Sequence, residues 1–356
     1  MTSRERFIAV LERRRTDRLP VTTHHVMPSF LKNHMHGISN QEFFEYFGLD
    51  PINWVMAYDF SPESGEYFDP NHKEMGFLEA RRVVSDTWRV KVEPVDGFKL
   101  PTQRFNIITP ARTLSMLLQA DEHTTWVKEY LVKEKSDIDI LARFMTYPKC
   151  NVEEINKTSD DYGNRGLIRG HISTFEGFGQ PGCWQDAACL FGIQNLIMAT
   201  FEDREWVHSF LKILQQRKKV YIDSLKGAKY DLIELGGGDA STTVISPDIF
   251  NEFVAPYDSL LIEHAHQVGQ RIVYHTCGGM MPILEDIVAM KPDAMETFTP
   301  LGMGGDADLA EAKRSIGDRV CMIGGFDQFH FFNGCTEDDT RREVRRCFKA
   351  AGKNGG

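Results

Sequence analysis

The sequence holds no apolar run long enough to span a bilayer, which takes about 20 residues. Its opening, Met-Thr-Ser-Arg-Glu-Arg, lacks the apolar core of a secretory signal, so a cytoplasmic protein away from membranes is expected. Positive charge is in deficit. Lys and Arg number 41 against 51 Asp and Glu, a formal net charge of -10, which argues against nucleic acid as an obligatory partner. Cysteine is sparse: seven residues, odd in number and widely spaced, with no disulfide framework among them. Phosphate-binding signatures are missing too. The glycine-rich stretch Glu176-Gly-Phe-Gly-Gln-Pro-Gly-Cys183 has no Gly-Lys-Ser/Thr ending and does not match the dinucleotide fingerprint. It reads instead as a turning loop, a candidate lid with Trp184 on it.

What is present is the composition of a globular protein, 42% hydrophobic and 26% charged over 356 residues. From residue 230 onward strands and helices alternate. Strands are expected at 230–235, 271–274, 294–298 and 319–323, with helices between them over 247–267, 282–290, 309–316 and 340–350. That rhythm predicts β/α units around a parallel sheet covered on both faces. Upstream, residues 4–14 read as a helix, 21–26 as a first strand, 166–172 as an interior strand and 203–221 as a long amphipathic helix. Residues 61–110 alternate like an antiparallel excursion, while 124–132 and 190–198 have helical patterns. The expected fold is a single-domain (β/α)₈ TIM barrel over 1–356, with a helical and antiparallel elaboration over roughly 1–110.

The chemistry gathers at strand ends. In His275-Thr-Cys277 an imidazole and a thiol two residues apart project to one side of an extended chain. This pair suits zinc. It equally suits a backbone-bonded histidine beside a packed free thiol. A parallel sheet directs all its carboxyl ends to one face, so Glu234, Asp239, Glu296 and Thr297 should meet His275 and Cys277 there. Glu234 is a candidate third ligand or a partner for a ligating histidine, and Asp239 a candidate acid–base group. Cys321 is a second candidate to complete the metal shell. His171 closes the strand at 166–172, and of His24 and His25 on the first expected strand only one can face a cavity. Phe30, Phe43, Phe44, Tyr46, Phe47, Trp54 and Tyr58 make residues 28–60 rich in aromatics, either as packing or as walls for a flat substrate.

The chain resembles the uroporphyrinogen decarboxylase superfamily and, within it, the zinc methyltransferases that serve corrinoid proteins. The resemblance is carried by Ser3-Arg-Glu-Arg-Phe with Asp17-Arg-Leu-Pro20, by Leu232-Ile-Glu-Leu with the glycines, Asp239 and Ser246-Pro247, by His275-Thr-Cys-Gly278, and by Ile323-Gly-Gly-Phe-Asp327 with Gly355-Gly356. It implies a barrel that binds Zn²⁺ through His275 and Cys277, with a corrinoid (cobalamin) carried on a partner protein. The implied reaction moves a methyl group from a small donor, an aromatic methyl ether being one candidate, to the corrinoid cobalt. Transfer from corrinoid to a thiol and uroporphyrinogen-type decarboxylation are the alternatives. Glu234, Asp239, His24 and His171 are the candidate catalytic groups on the residues' own placement, and a homodimer is a candidate assembly. Two departures stand out. The decarboxylases' arginine-rich element corresponds here to Val21-Thr-Thr-His-His-Val-Met27, which has no arginine, and the methyltransferases' second cysteine after the terminal Gly-Gly has no counterpart within the 356 residues.

Overall fold

Six short parallel strands form the central sheet. They are β1 (Ile52–Trp54), β2 (Leu167–His171), β3 (Leu232–Gly236), β4 (Ile272–His275), β5 (Ala294–Thr297) and β6 (Cys321–Gly324), hydrogen-bonded in chain order. The computed structural model describes residues 1–72, 80–175, 179–332 and 334–352. Most of the proposed loop's glycine-rich start (176–178) and the terminal Gly355-Gly356 lie outside the described residues.

The expectation of a closed eight-stranded barrel is overturned. The sheet is an open half-barrel, with β1 and β6 as its two edges. Residues 21–26, expected as the first strand, run beside β1 without joining the ladder. Their polar groups are used otherwise. The Val21 amide donates to Asp50 Oδ2, the Thr22 and Thr23 hydroxyls donate to nearby carbonyls, and the His24 carbonyl accepts from the Trp54 indole. After β6 the described chain is helical, over Gln328–Phe332 and Glu337–Cys347, so no further strand reaches the open edge among the described residues.

Two other local expectations change. Residues 124–132 carry a strand, Thr125–Glu129, and not a helix; it is the last of a four-stranded antiparallel meander over 89–129. β-Branched Thr125 and Val127 favour the extended form once neighbours supply pairing. The apolar stretch at 190–198 is split into helices Cys183–Phe191 and Ile193–Glu202 at Gly192, whose φ of +93° ends the first helix.

Strand alternation sorts the core. Ile233, Leu235, Ile272, Tyr274 and Met295 face outward into the main helix-covered core. Ile52, Leu167, Leu232, Val273, Ala294 and Cys321 face inward as an apolar layer, closed beneath by Phe7, Val10 and Leu11 of helix Ser3–Leu11. Two residues further along each strand, the inward positions are Trp54, Arg169, Glu234, His275, Glu296 and Ile323.

Helix Ala255–Gln267 packs on the outer face through Asp258, which is 1% exposed and accepts the Tyr274 hydroxyl at 2.9 Å. Burial lifts this carboxyl from its ordinary 3.8 to about 6. Because the folded value exceeds the unfolded one, its contribution to stability is complete below about pH 3.8 and lost as pH rises through about 6. Asp258→Asn keeps a carbonyl for Tyr274 and cannot ionise. It should flatten the stability–pH curve across that window and stabilise the protein by about 1–3 kcal/mol above it. Urea unfolding from pH 4 to 7 checks this; a variant with the parent's pH dependence would refute it.

Candidate functional site

The inward positions at the carboxyl ends of the strands build one polar network. Arg169 of β2 is 2% exposed and donates through Nη2 to Glu234 Oε2 at 2.7 Å and Glu296 Oε1 at 2.5 Å. Its guanidinium also lies over the Trp54 ring, 4.5 Å from the centroid. Each carboxylate then reaches an imidazole. His24 Nε2 is 3.0 Å from Glu234 Oε2, and His275 Nδ1 is 2.8 Å from Glu296 Oε1. His275 Nε2 in turn is 2.8 Å from Cys277 Sγ, and Cys277 is exposed.

The electrostatics follow from this pairing. Burial opposes ionisation of both carboxyls, yet Arg169 and the imidazoles hold Glu234 and Glu296 below the usual carboxylate range. Burial lowers the two histidines, and the carboxylates outweigh it; His24 is raised and His275 raised well above its ordinary value, with Cys277 adding to the latter. His171 has no such partner. Its Nδ1 meets the Ile172 carbonyl at 2.8 Å, and burial lowers it.

A cavity of about 2210 Å³ opens over this network. Phe30, Phe43, Phe47, Trp54 and Tyr58 are on its walls, whereas Phe44 is buried core. Asp239 also lines it, with burial raising its carboxyl. Three glycines let the loop after β3 approach. Gly236 has φ +103° and a Cβ there would be 2.4 Å from the His275 carbonyl oxygen. At Gly237 a Cβ would meet Gln185 at 2.6 Å, and at Gly238 it would meet the Cys277 Cβ at 3.3 Å.

The structure therefore brings together His24, Glu234, His275 and Cys277, with Asp239 and His171 on the same cavity. Cys321 also lines this cavity but is not part of the network. It lies one inward layer below, among apolar side chains, and burial pushes its thiol up to about 12. Glu296 was expected on this face without a role. Arg169 and Gln185 were not singled out at all. Arg169 had a signal: a charge in the middle of Leu167-Ile-Arg-Gly-His171, a buried strand, demands a partner.

His24, Glu234, His275 and Glu296 offer ligand atoms within 4.8 Å of one another, a candidate His/Glu metal-binding cluster. It already contains a cation, since the Arg169 guanidinium bridges both carboxylates.

Comparison with known proteins adds the ancestry. Residues 179–356 match the profile described as uroporphyrinogen decarboxylase (URO-D). The chain belongs to this family. Curated relatives include methylcobamide:CoM methyltransferase MtaA of Methanosarcina barkeri, 25% identical over 39% of this chain and 38% of that protein. Uroporphyrinogen decarboxylase of Chlorobium phaeovibrioides is 25% identical over 43% of this chain and 41% of that protein. The match thus spans about 38% to 41% of the length of these relatives. A solved methyltransferase from Methanosarcina mazei shares the fold, at a TM-score of 0.57 and 15% identity, covering 100% of this chain and 91% of that one. Both branches of the superfamily are represented among these URO-D relatives. No helix among the described residues is long and apolar enough to cross a membrane.

Removing Arg169 should expose the strength of the network. Arg169→Met leaves two buried carboxylates facing each other and should cost about 3–5 kcal/mol in chemical denaturation at neutral pH. Adding Glu234→Gln and Glu296→Gln to it should restore part of that loss, because the unpaired charges go with the carboxylates. A fully stable single variant would contradict the buried pairing.

Proposed function

We propose that this protein is a zinc-dependent methyltransferase that moves a methyl group from a small donor to the cobalt of a corrinoid carried on a partner protein. The observation that carries the reading is the His275–Cys277 pair with Glu296 on the far nitrogen of the imidazole. A carboxylate at Nδ1 keeps the proton on that nitrogen, so a metal that displaces the Nε2 proton would find Nε2 as the lone-pair donor, an arrangement recurrent behind zinc-ligating histidines. Nε2 and Sγ meet at the exposed end of the network, away from Arg169. In this reading His275 and Cys277 hold the ion, Glu296 orients His275, and Glu234 holds His24. Zinc bound there supplies Lewis acidity toward the donor's heteroatom.

The chain's own residues do the rest. Cobalt(I) of the partner is the nucleophile, so the site needs none. The methyl–heteroatom bond breaks with its electron pair left on the heteroatom, and the methyl group goes to cobalt. Asp239, which burial favours in the protonated form, can deliver the proton that the departing atom takes. His171, fixed on the Ile172 carbonyl and with burial disfavouring its charged form, also lines the cavity. The aromatic walls favour a donor with an apolar body, an aromatic methyl ether among them.

The decarboxylase reading is less well supported. A substrate with many carboxylates needs free cations, and every arginine lining the cavity is occupied. Arg82 pairs with Asp69, Arg169 with the two glutamates, and Arg217 donates to the carbonyls of Thr146 and Thr174.

Full-length protein should retain stoichiometric zinc, and His275→Ala and Cys277→Ser should lose it while Cys321→Ala keeps it. Metal analysis checks this, and a His275→Ala protein with unchanged zinc would remove the assignment. The activity is tested by mixing the protein with a reduced corrinoid partner and a panel of methyl ethers, methylamines and thiols. Conversion of the cobalt(I) spectrum to that of methylcobalt is the expected result. No conversion with any donor, and no reverse transfer to any thiol, would overturn the reading.

A further inference from the structure

The first turn of helix Cys183–Phe191 is fastened to the loop that carries Asp239. The Gly182 amide donates to the Gly236 carbonyl at 2.8 Å. The buried Trp184 donates its indole N–H to the Asp239 carbonyl at 3.1 Å. Gln185 makes two bonds to one residue: its amide NH₂ donates to Asp239 Oδ2 at 2.7 Å, and its Oε1 accepts the Asp239 backbone N–H at 2.6 Å. The next residue, Asp186, anchors the turn from behind through the buried Lys218 at 2.6 Å. Gly237 is bare where any Cβ would collide with the Gln185 side chain.

We infer that Gln185 is the positioning residue of the site: it holds one oxygen and the amide of Asp239 so that the other oxygen, Oδ1, is presented to the cavity. The geometry allows little else. Two short bonds from one planar amide fix both the backbone and the carboxyl of Asp239, whereas a single contact would leave the carboxyl free to rotate. Oδ1 has no hydrogen-bond partner among the described residues, and Asp239 lines the cavity. Gly238 sets the loop against Cys277, so the carboxyl is held on the segment that touches the His275–Cys277 end of the network. The role of Asp239 in serving the leaving group rests on the methyl-transfer reading above. In that step the donor's heteroatom keeps the bonding pair, takes the Asp239 proton and leaves a carboxylate that solvent reprotonates. The grip of Gln185 on Asp239 does not depend on that reading.

Two measurements separate these levels. The first is carbodiimide coupling of carboxyls in the folded protein, followed by peptide mass spectrometry. Gln185→Met conserves volume and removes both bonds. It should increase coupling at Asp239 severalfold while exposed carboxyls such as Asp318 react as before. Unchanged coupling at Asp239 would overturn the inference, whatever the enzyme transforms. The second uses any donor that the wild-type protein demethylates. Gln185→Met should then lower kcat by roughly ten- to a hundredfold with KM within about twofold, the pattern of a misplaced proton donor. An unchanged kcat would overturn the positioning role. Gln185→Glu keeps the acceptor for the Asp239 amide and replaces the donor to Oδ2 with a like-charged carboxylate. It gives the same two readouts should the methionine variant fail to fold, and its melting temperature reports folding directly.

Discussion

A guanidinium that is 2% exposed cannot stay unpaired, and much of the site follows from that constraint on Arg169. Two carboxylates must come to it, and the register of the parallel strands brings Glu234 from β3 and Glu296 from β5 to its level. Two carboxylates around one cation leave an excess of negative charge, which the imidazoles of His24 and His275 offset. The chain of pairings therefore runs outward from a fully enclosed charge to an exposed thiol at Cys277. Each link orients the next. Breaking the innermost one strands charges that water cannot reach, so the orientation of His275, the last residue of β4, depends on a buried ion pair.

The strands are only three to five residues long, which leaves room for about two inward layers. One layer is apolar and rests on helix Ser3–Leu11; the other carries the charged network, and both contribute to the cavity lining. Packing and chemistry are thus separated by two residues along each strand. Cys321 and Ile323 of β6 illustrate how sharp the division is. The thiol belongs to the apolar layer, and the position level with His275 and Glu296 is an isoleucine. On that strand the sheet spends its polar level on hydrocarbon.

The sequence made the parallel half of this fold readable because its strands and helices alternate with clean periods from residue 230 on. It also made readable which strand ends share a face, since that follows from parallel order alone. His275 and Cys277 needed only local spacing. Closure was not readable. Residues 21–26 have the β-branched composition of a strand, yet their backbone bonds go to Asp50, Trp54 and local hydroxyls, and composition does not report such long-range competitors. Arg169, Gln185 and the His24–Glu234 contact share this difficulty. His24 and Glu234 are 210 positions apart, and only the assembled sheet makes them neighbours. Cys321 shows the opposite case: a thiol near a strand end is legible, but only the pleat tells that it occupies the apolar layer.

The boundary of the family match runs through the network itself. The stretch matching the URO-D profile, 179–356, supplies Glu234, His275, Cys277 and Glu296 together with Asp239 and Gln185. Arg169, His24 and Trp54, and the cavity walls Phe30, Phe43 and Phe47, come from before it. The first set includes three of the four members of the candidate metal-binding cluster, Glu234, His275 and Glu296. The second neutralises that part, stacks on it and shapes the space above it. The carboxyl ends of β3 to β5 thus come from the matched segment, while residues 21–60 and β2 supply cavity walls and the guanidinium that neutralises the two glutamates.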